Sequence, residues 1–172
     1  MFAGFASVRQ IGPLGMITLR ASPDAPGLAA AIKAAVGTTL PQSRRIVQGE
    51  GRAAIWMAPD EYLLMLPYAE TGIALATLGK KLAGAHHLCV AVSDARAVFR
   101  IEGSKADQVL RKLCPVDFDL LAPNEVRRTR AAQAACAFWR DGEGFTLICF
   151  RSVAAYMMGL LTHAAQPGGE LA

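Results

Sequence analysis

No stretch of this 172-residue sequence has the roughly 18 uninterrupted apolar residues that a membrane-spanning helix needs. The richest helical segment, VAAYMMGLL at 153–161, is too short. The N-terminus, MFAGFASVRQIG, lacks a basic region ahead of its apolar residues, so no signal peptide is expected. The four cysteines, Cys89, Cys114, Cys136 and Cys149, form no C-x-x-C pair. Three of them sit in apolar runs, as buried free thiols do, so a reducing, cytoplasmic compartment is expected. Charged residues are only 19% of the chain, which argues against disorder. The net charge of +4 is spread along the sequence and does not by itself imply nucleic acid. Phosphate-binding and nucleophile motifs are also missing. There is no G-x-x-x-x-G-K-[ST], no G-x-G-x-x-G and no G-x-S-x-G, and Gly49 and Gly51 make no phosphate loop.

What is abundant is apolar residues, at 53%. That predicts a large core or a buried partner surface. Four helices are predicted. The first spans 24–37, capped by Asp24 and ended by Gly37, and the second spans 71–84. The third runs from Ser104, with Asp107 in a capping-box pattern, to Pro115, and the fourth follows Ser152. Strands are predicted at 16–21, 52–57, 62–66, 88–92, 97–102, 133–139 and 145–150. Helices alternating with strand pairs give an α+β fold.

One stretch occurs twice. AIWMAPDEYLLML at 54–66 is matched by AFWRDGEGFTLIC at 137–149, with Trp56 and Trp139, Tyr62 and Phe145, and Leu64 and Leu147 each 83 residues apart. Leu19 and Ile101, and Ile32 and Leu113, lie at nearly the same offset. A near-constant offset marks an internal duplication. Each half reads as a split β-α-β unit, and no strand equivalent to LCVAV (88–92) is found after the last helix. The expected organisation is one domain over 1–172, with halves of about 16–92 and 93–163 and a flexible tail at 164–172.

The duplication bears on Asp60 and Glu61. The second copy carries Asp141-Gly142-Glu143-Gly144 at the same place, so both read as hairpin turns with solvated carboxylates rather than acid/base groups. His86, His87 and Cys89 have too few ligands nearby for zinc and read as the entry to a strand. Arg127, Arg128 and Arg130, with Arg44 and Arg45, lack the interleaved aromatics of a nucleic-acid face. They read as a charged edge strand, with contact to an acidic partner as the other possibility. Asp94 and Arg96 fall in a polar turn. No catalytic, cofactor-binding or metal-binding residue is assigned.

Three segments carry a resemblance: AIWMAPDEYLLMLP, VAVSDARAVFRIEGSKADQVLRKLCPVDFDL and AFWRDGEGFTLICFRSVAAYMMGLL. The matching features are the Trp56–Leu64 hairpin, the Ser93–Arg96 turn, Gly103, Cys114-Pro115 followed by Asp117 and Asp119, and Phe150–Ser152. The chain resembles the gamma subunits of heterotetrameric sarcosine oxidases over about residues 50–163. The resemblance implies a fold like the N-terminal region of the folate-binding aminomethyltransferases. It implies a complex that demethylates sarcosine oxidatively and passes the one-carbon unit to tetrahydrofolate, using FAD, FMN and NAD. It places those cofactors and the folate in the alpha and beta subunits, and zinc in the delta subunit. The gamma subunit is implied to pack chiefly on alpha, with no catalytic residue, no nucleic acid and no membrane. Its apolar surplus predicts a homodimer when isolated. The alternative is a stand-alone folate-binding or aminomethyltransferase-like protein, for which Asp94 and Asp117 are the candidate pterin-reaching carboxylates.

Overall fold

The computed structural model describes residues 1–171. They run through β1 (Phe2–Ala3), β2 (Ser7–Ile11), β3 (Leu14–Ala21), α1 (Leu28–Val36), β4 (Ile46–Gly49), β5 (Arg52–Ala58), β6 (Glu61–Pro67), α2 (Thr71–Lys81) and β7 (His87–Ala91). They continue through β8 (Arg96–Glu102), α3 (Ala106–Arg111), β9 (Val126–Ala131), β10 (Ala134–Asp141), β11 (Gly144–Phe150) and α4 (Ala154–Ala164). The chain divides into two compact units. One is residues 13–94; the other is residues 1–12 together with the chain from Ala95 onward.

The unit of residues 13–94 is an antiparallel sheet in the order β4-β5-β6-β3-β7. Leu28, Ala31, Ile32, Ala35 and Val36 line one stripe of α1, and Ala74 and Leu78 lie on the buried face of α2. Both stripes join one core with Ile17, Leu19, Tyr62, Leu64 and Leu66 of the sheet. Gly37 ends α1 in a left-handed conformation, φ 72°, with its N–H donating to the Lys33 carbonyl. The predicted Asp24 cap does not form. The chain turns through Pro26-Gly27 first, so α1 starts at Leu28 without a side-chain cap.

The second unit repeats this plan. Its sheet runs β1-β2-β8-β11-β10-β9, again antiparallel. Its core joins Phe99, Ile101, Phe138, Phe145 and Leu147 to Val109, Leu110, Met157 and Leu161 of the helices. β6 (61–67) and β11 (144–150), the 3-10 turns at 68–70 and 151–153, and α2 (71–81) and α4 (154–164) all stand 83 residues apart at both ends. The strand missing after the last helix comes from the other end of the chain. β2 lies antiparallel against β8, as β7 does against β3. Ser93 and Asp94 stay with the first unit, so the boundary and the N-terminal strands depart from the expected halves.

The two Trp residues are not equivalent. β5 has a bulge between Trp56 and Ala58, and beyond it Ile55 pairs with Leu63, whereas Trp139 pairs with Thr146. Counting from the matched tips, Trp139 takes the place of Ile55, and Phe138 the place of Ala54. One inserted residue reverses every later side chain of a strand, which no constant offset reveals. Leu113, expected in the third helix, lies beyond its end at Arg111. The Ser104 capping box is absent: the Asp107 carboxylate accepts from Arg111 Nε at 2.8 Å instead.

Residues 164–171, expected as a flexible tail, have fixed partners. The Ala165 carbonyl accepts from Phe5 N–H at 3.0 Å, Lys112 Nζ donates to the Ala164 carbonyl at 2.8 Å, and Leu171 N–H donates to Gln108 Oε1 at 2.9 Å. Gly159 sits inside α4 with nothing within 4 Å of where a Cβ would stand. Gly159→Ala is therefore expected to raise stability by about 0.5–1 kcal/mol through helix propensity. Denaturant unfolding checks this, and a loss of stability would mean the position is strained or packed.

Candidate functional site

The hairpin carboxylates are less free than the sequence predicts. Asp60 lies in the β5–β6 turn and accepts from an Arg20 guanidinium N–H at 2.6 Å, with both side chains half exposed. That hydrogen bond holds the Asp60 carboxyl below its ordinary range. At the β10–β11 tip, Asp141 is 2.6 Å from Arg100, and its Oδ2 accepts from Thr146 Oγ1 at 2.8 Å. Arg100 also reaches Glu102, which Arg9 approaches at 3.3 Å. The Arg9 hydrogen bond, with Arg100 behind it, lowers the Glu102 carboxyl. These arginines come from neighbouring strands, so strand pairing brings them to the turns, and the local sequence does not show it. The pairs brace turns; a carboxylate fixed beside a guanidinium is a poor proton carrier at neutral pH.

A carboxylate whose folded value is depressed adds stability above its unfolded value, and that stability is lost as pH falls through the folded value. Asp60, Glu102 and Asp119 are all depressed, each first by an arginine hydrogen bond. Stability is expected to fall as pH drops below about 4, the ordinary carboxylate value. Glu102→Gln is expected to flatten part of that acid limb. Unchanged acid limbs in pH-dependent urea titrations would contradict it.

His87 Nδ1 lies 2.8 Å from the Ala85 carbonyl, and His87 and Cys89 share one face of β7. Among the described residues, no group of three or more His, Cys, Asp and Glu is placed to hold a metal ion. Burial pushes the Cys89 thiol up, and burial first, then Cys136, pushes Cys149 up to about 11. The Cys136 thiol is pushed up most strongly, first by its hydrogen bond with Cys114. Thiols held protonated are poor nucleophiles. A thiol reagent at pH 8 is expected to label Cys136 and Cys149 fully only after denaturant is added. Rapid stoichiometric labelling of the native chain would contradict this.

Asp94 is exposed on the 3-10 turn Ser93–Ala95, beside a buried Ser93 whose Oγ accepts from Met16 N–H at 3.0 Å. Asp117 accepts from Asp119 N–H at 2.9 Å and closes its own turn. Gly49 and Gly51 frame the β4–β5 hairpin, with positive φ at Glu50 (49°) and Gly51 (73°). That is the pattern of a tight hairpin turn. Both carboxylates are thus placed at turns, and the two glycines shape a hairpin.

The arginines fall in different units. Arg44 and Arg45 belong to the first unit; Arg127, Arg128 and Arg130 lie on β9, the free edge of the second sheet. Strand alternation sends Arg128 and Arg130 to the exposed side, while Arg127 reaches a buried Glu125 at 3.1 Å. Large apolar side chains are exposed as well: Ile73 at 73%, Leu120 at 74%, Leu88 at 52% and Tyr156 at 45%. Ile73 and Tyr156 are equivalent by the 83-residue offset, on α2 and α4. α4, AAYMMGLLTHA, carries no Asp, Glu, Lys or Arg. An exposed helix without charge suits a protein partner better than water. The spacing of Val153, Tyr156, Met157, Leu160 and Leu161 predicts one apolar face for α4, but only Met157 and Leu161 of that set are buried, and Tyr156 stands out. Among the described residues no helix is long and apolar enough to cross a membrane.

A family model described as "Sarcosine oxidase, gamma subunit family" matches residues 20–166. The chain is 37% identical over 145 residues to the sarcosine oxidase subunit gamma of Arthrobacter sp, covering 82% of this chain and 70% of that one. It is 36% identical, with the same coverage, to the subunit of that name from Corynebacterium sp. (strain P-1). In structure it matches a chain of heterotetrameric sarcosine oxidase from Corynebacterium sp. U-96 with a TM-score of 0.84 at 30% identity, covering 95% of this chain and 86% of that chain. A glycine cleavage system aminomethyltransferase T from Bartonella henselae shares the fold, with a TM-score of 0.70 at 15% identity over 96% of this chain and 48% of that one. The α+β architecture and its aminomethyltransferase-like plan thus hold, and the chain belongs to the sarcosine oxidase gamma subunit family.

Proposed function

We propose that this chain serves assembly and stability in a heterotetrameric sarcosine oxidase, packing chiefly on the alpha subunit in the company of beta and delta. The observation that carries the reading is the match, over 95% of the chain, to a chain of such an oxidase. The uncharged α4, with Tyr156 exposed, supports a docking role over a catalytic one. FAD, FMN, NAD and tetrahydrofolate belong, in this reading, to the other subunits. The residues here do not fit a dinucleotide: both Gly-x-Gly triplets, Gly49–Gly51 and Gly142–Gly144, are spent on hairpin turns and stand before no helix. The compartment is read as cytoplasmic, in keeping with four unpaired cysteines.

The isolated chain is then expected to be colourless, to form no peroxide from sarcosine, and to self-associate through its exposed apolar side chains. Visible absorbance, a peroxide assay and sedimentation over a wide concentration range test this. A stoichiometric flavin spectrum from this chain alone would overturn the reading.

A further inference from the structure

The end of α3, the β9–β10 turn and the strand edge beside them enclose a shallow, open pocket of about 400 Å³. It is lined by Lys112, Leu113, Cys114, Pro115, Arg130 and Gln133, with Ala132 in the turn. The turn is fastened to the helix end, because Ala132 N–H donates to the Leu113 carbonyl at 2.9 Å. Ala132 adopts φ 48° to make that bond. Lys112 is held as well. Its ammonium donates to the Ala164 carbonyl at 2.8 Å and to the Gly169 carbonyl, and lies 4.8 Å from the centre of the Phe5 ring. None of those partners lines the pocket, so the ammonium is held to one side of it and Arg130 is the cation that borders it. Arg130 is exposed and, among the described residues, makes no ion pair. No carboxylate lines the pocket.

The pocket opens beside β9, whose outer edge pairs with no strand. An unpaired edge offers a row of backbone donors and acceptors to any extended chain. The side chains decide which chain. A second copy of this protein would bring Arg128 and Arg130 against their own kind, and like charges directly across a sheet are unfavourable. A segment with Asp or Glu at alternate positions would instead meet the Arg130 guanidinium on the strand. A guanidinium receives a carboxylate through two parallel hydrogen bonds. We infer that the β9 edge and its basic pocket take an extended acidic segment of another subunit of the complex. This rests on the subunit reading above and names the chemistry of one of its contacts.

The test compares the full chain, co-expressed with its partner subunits, as wild type, as Arg130→Glu and as Lys80→Glu, an equal charge change on the exposed side of α2. Arg130→Glu is expected to weaken retention of this chain in the purified complex at least tenfold at 0.15 M salt, with Lys80→Glu matching wild type. Raising salt is expected to weaken wild-type retention more than that of Arg130→Glu. The β9 amides that do not bond β10 are expected to exchange more slowly with deuterium in the complex than in the isolated chain. Equal retention of Arg130→Glu, or equal β9 exchange in both states, overturns the proposal while leaving the subunit reading standing. Self-association of the isolated chain abolished by Arg130→Glu would assign the edge to a second copy and also overturn it. Failure of the wild-type chain to assemble at all overturns both.

Discussion

Gly144→Ala is expected to destabilise the second unit by about 3 kcal/mol or more. Gly144 opens β11 opposite Glu102, at the tip where Arg100 and Asp141 meet. A Cβ there would stand 2.1 Å from the Ile101 carbonyl oxygen and 3.1 Å from the Glu102 Cα. Both are backbone atoms of the central strand β8, so relief requires the β8–β11 pairing to part. Gly142, two residues earlier, serves as the contrast. Its Cβ would meet nothing within 4 Å, and only its φ of 55° opposes a side chain. Gly142→Ala should therefore cost only about 1 kcal/mol. Urea unfolding of the two variants beside wild type separates the effects, and equal costs would refute the steric account.

Phe138→Ala is expected to cost about 4 kcal/mol, within the usual range for emptying a buried aromatic site. Phe138 is fully buried and stacks on Phe118 with ring centres 5.3 Å apart and planes 2° from parallel. Phe145 meets both rings edge-on, at 5.8 and 6.1 Å. Such pairs add stability beyond the area they bury. Phe118 comes from the loop after α3, which Arg111 pins by bridging Asp107 and Asp119 at 2.8 and 2.6 Å. Removing Phe138 thus loosens the loop as well as the sheet. Denaturant titration followed by the near-ultraviolet signal reads both changes. A loss below about 1.5 kcal/mol would mean that the site collapses around the cavity.

The same residue shows what the sequence could and could not convey. The repeat of Trp-turn-aromatic-x-Leu at 83 residues matches β6 to β11 and α2 to α4, because no insertion separates those segments, although the expected bounds of 62–66 and 71–84 differ from the observed 61–67 and 71–81. It fails on β5, where the bulge before Ala58 adds a residue that only strand pairing reveals. That insertion puts Ala54 where the other unit has Phe138, and Ile55 where it has Trp139. β2 could not be placed from local pattern, since its partner β8 lies some 90 residues away and the pairing closes a unit begun at the opposite end of the chain. The Asp24 and Ser104 caps failed because Ser and Asp suit turns as well as caps, and turn geometry won at both sites. Of the candidate surface, the charged edge at Arg128 and Arg130 was legible from alternation. Its pocket was not, because Arg130 and the end of α3 border one recess only when the β9–β10 turn closes on that helix end.

The central claim is that this chain is a working part of an oxidase assembled from several subunits. Co-expression with the candidate alpha, beta and delta subunits, with the affinity tag on alpha, and native mass measurement of the purified product test it most directly. The account predicts one copy of this chain in each assembly, and a failure to recover the intact, sarcosine-oxidising complex when it is left out. Full assembly and undiminished sarcosine oxidation without it would contradict the account.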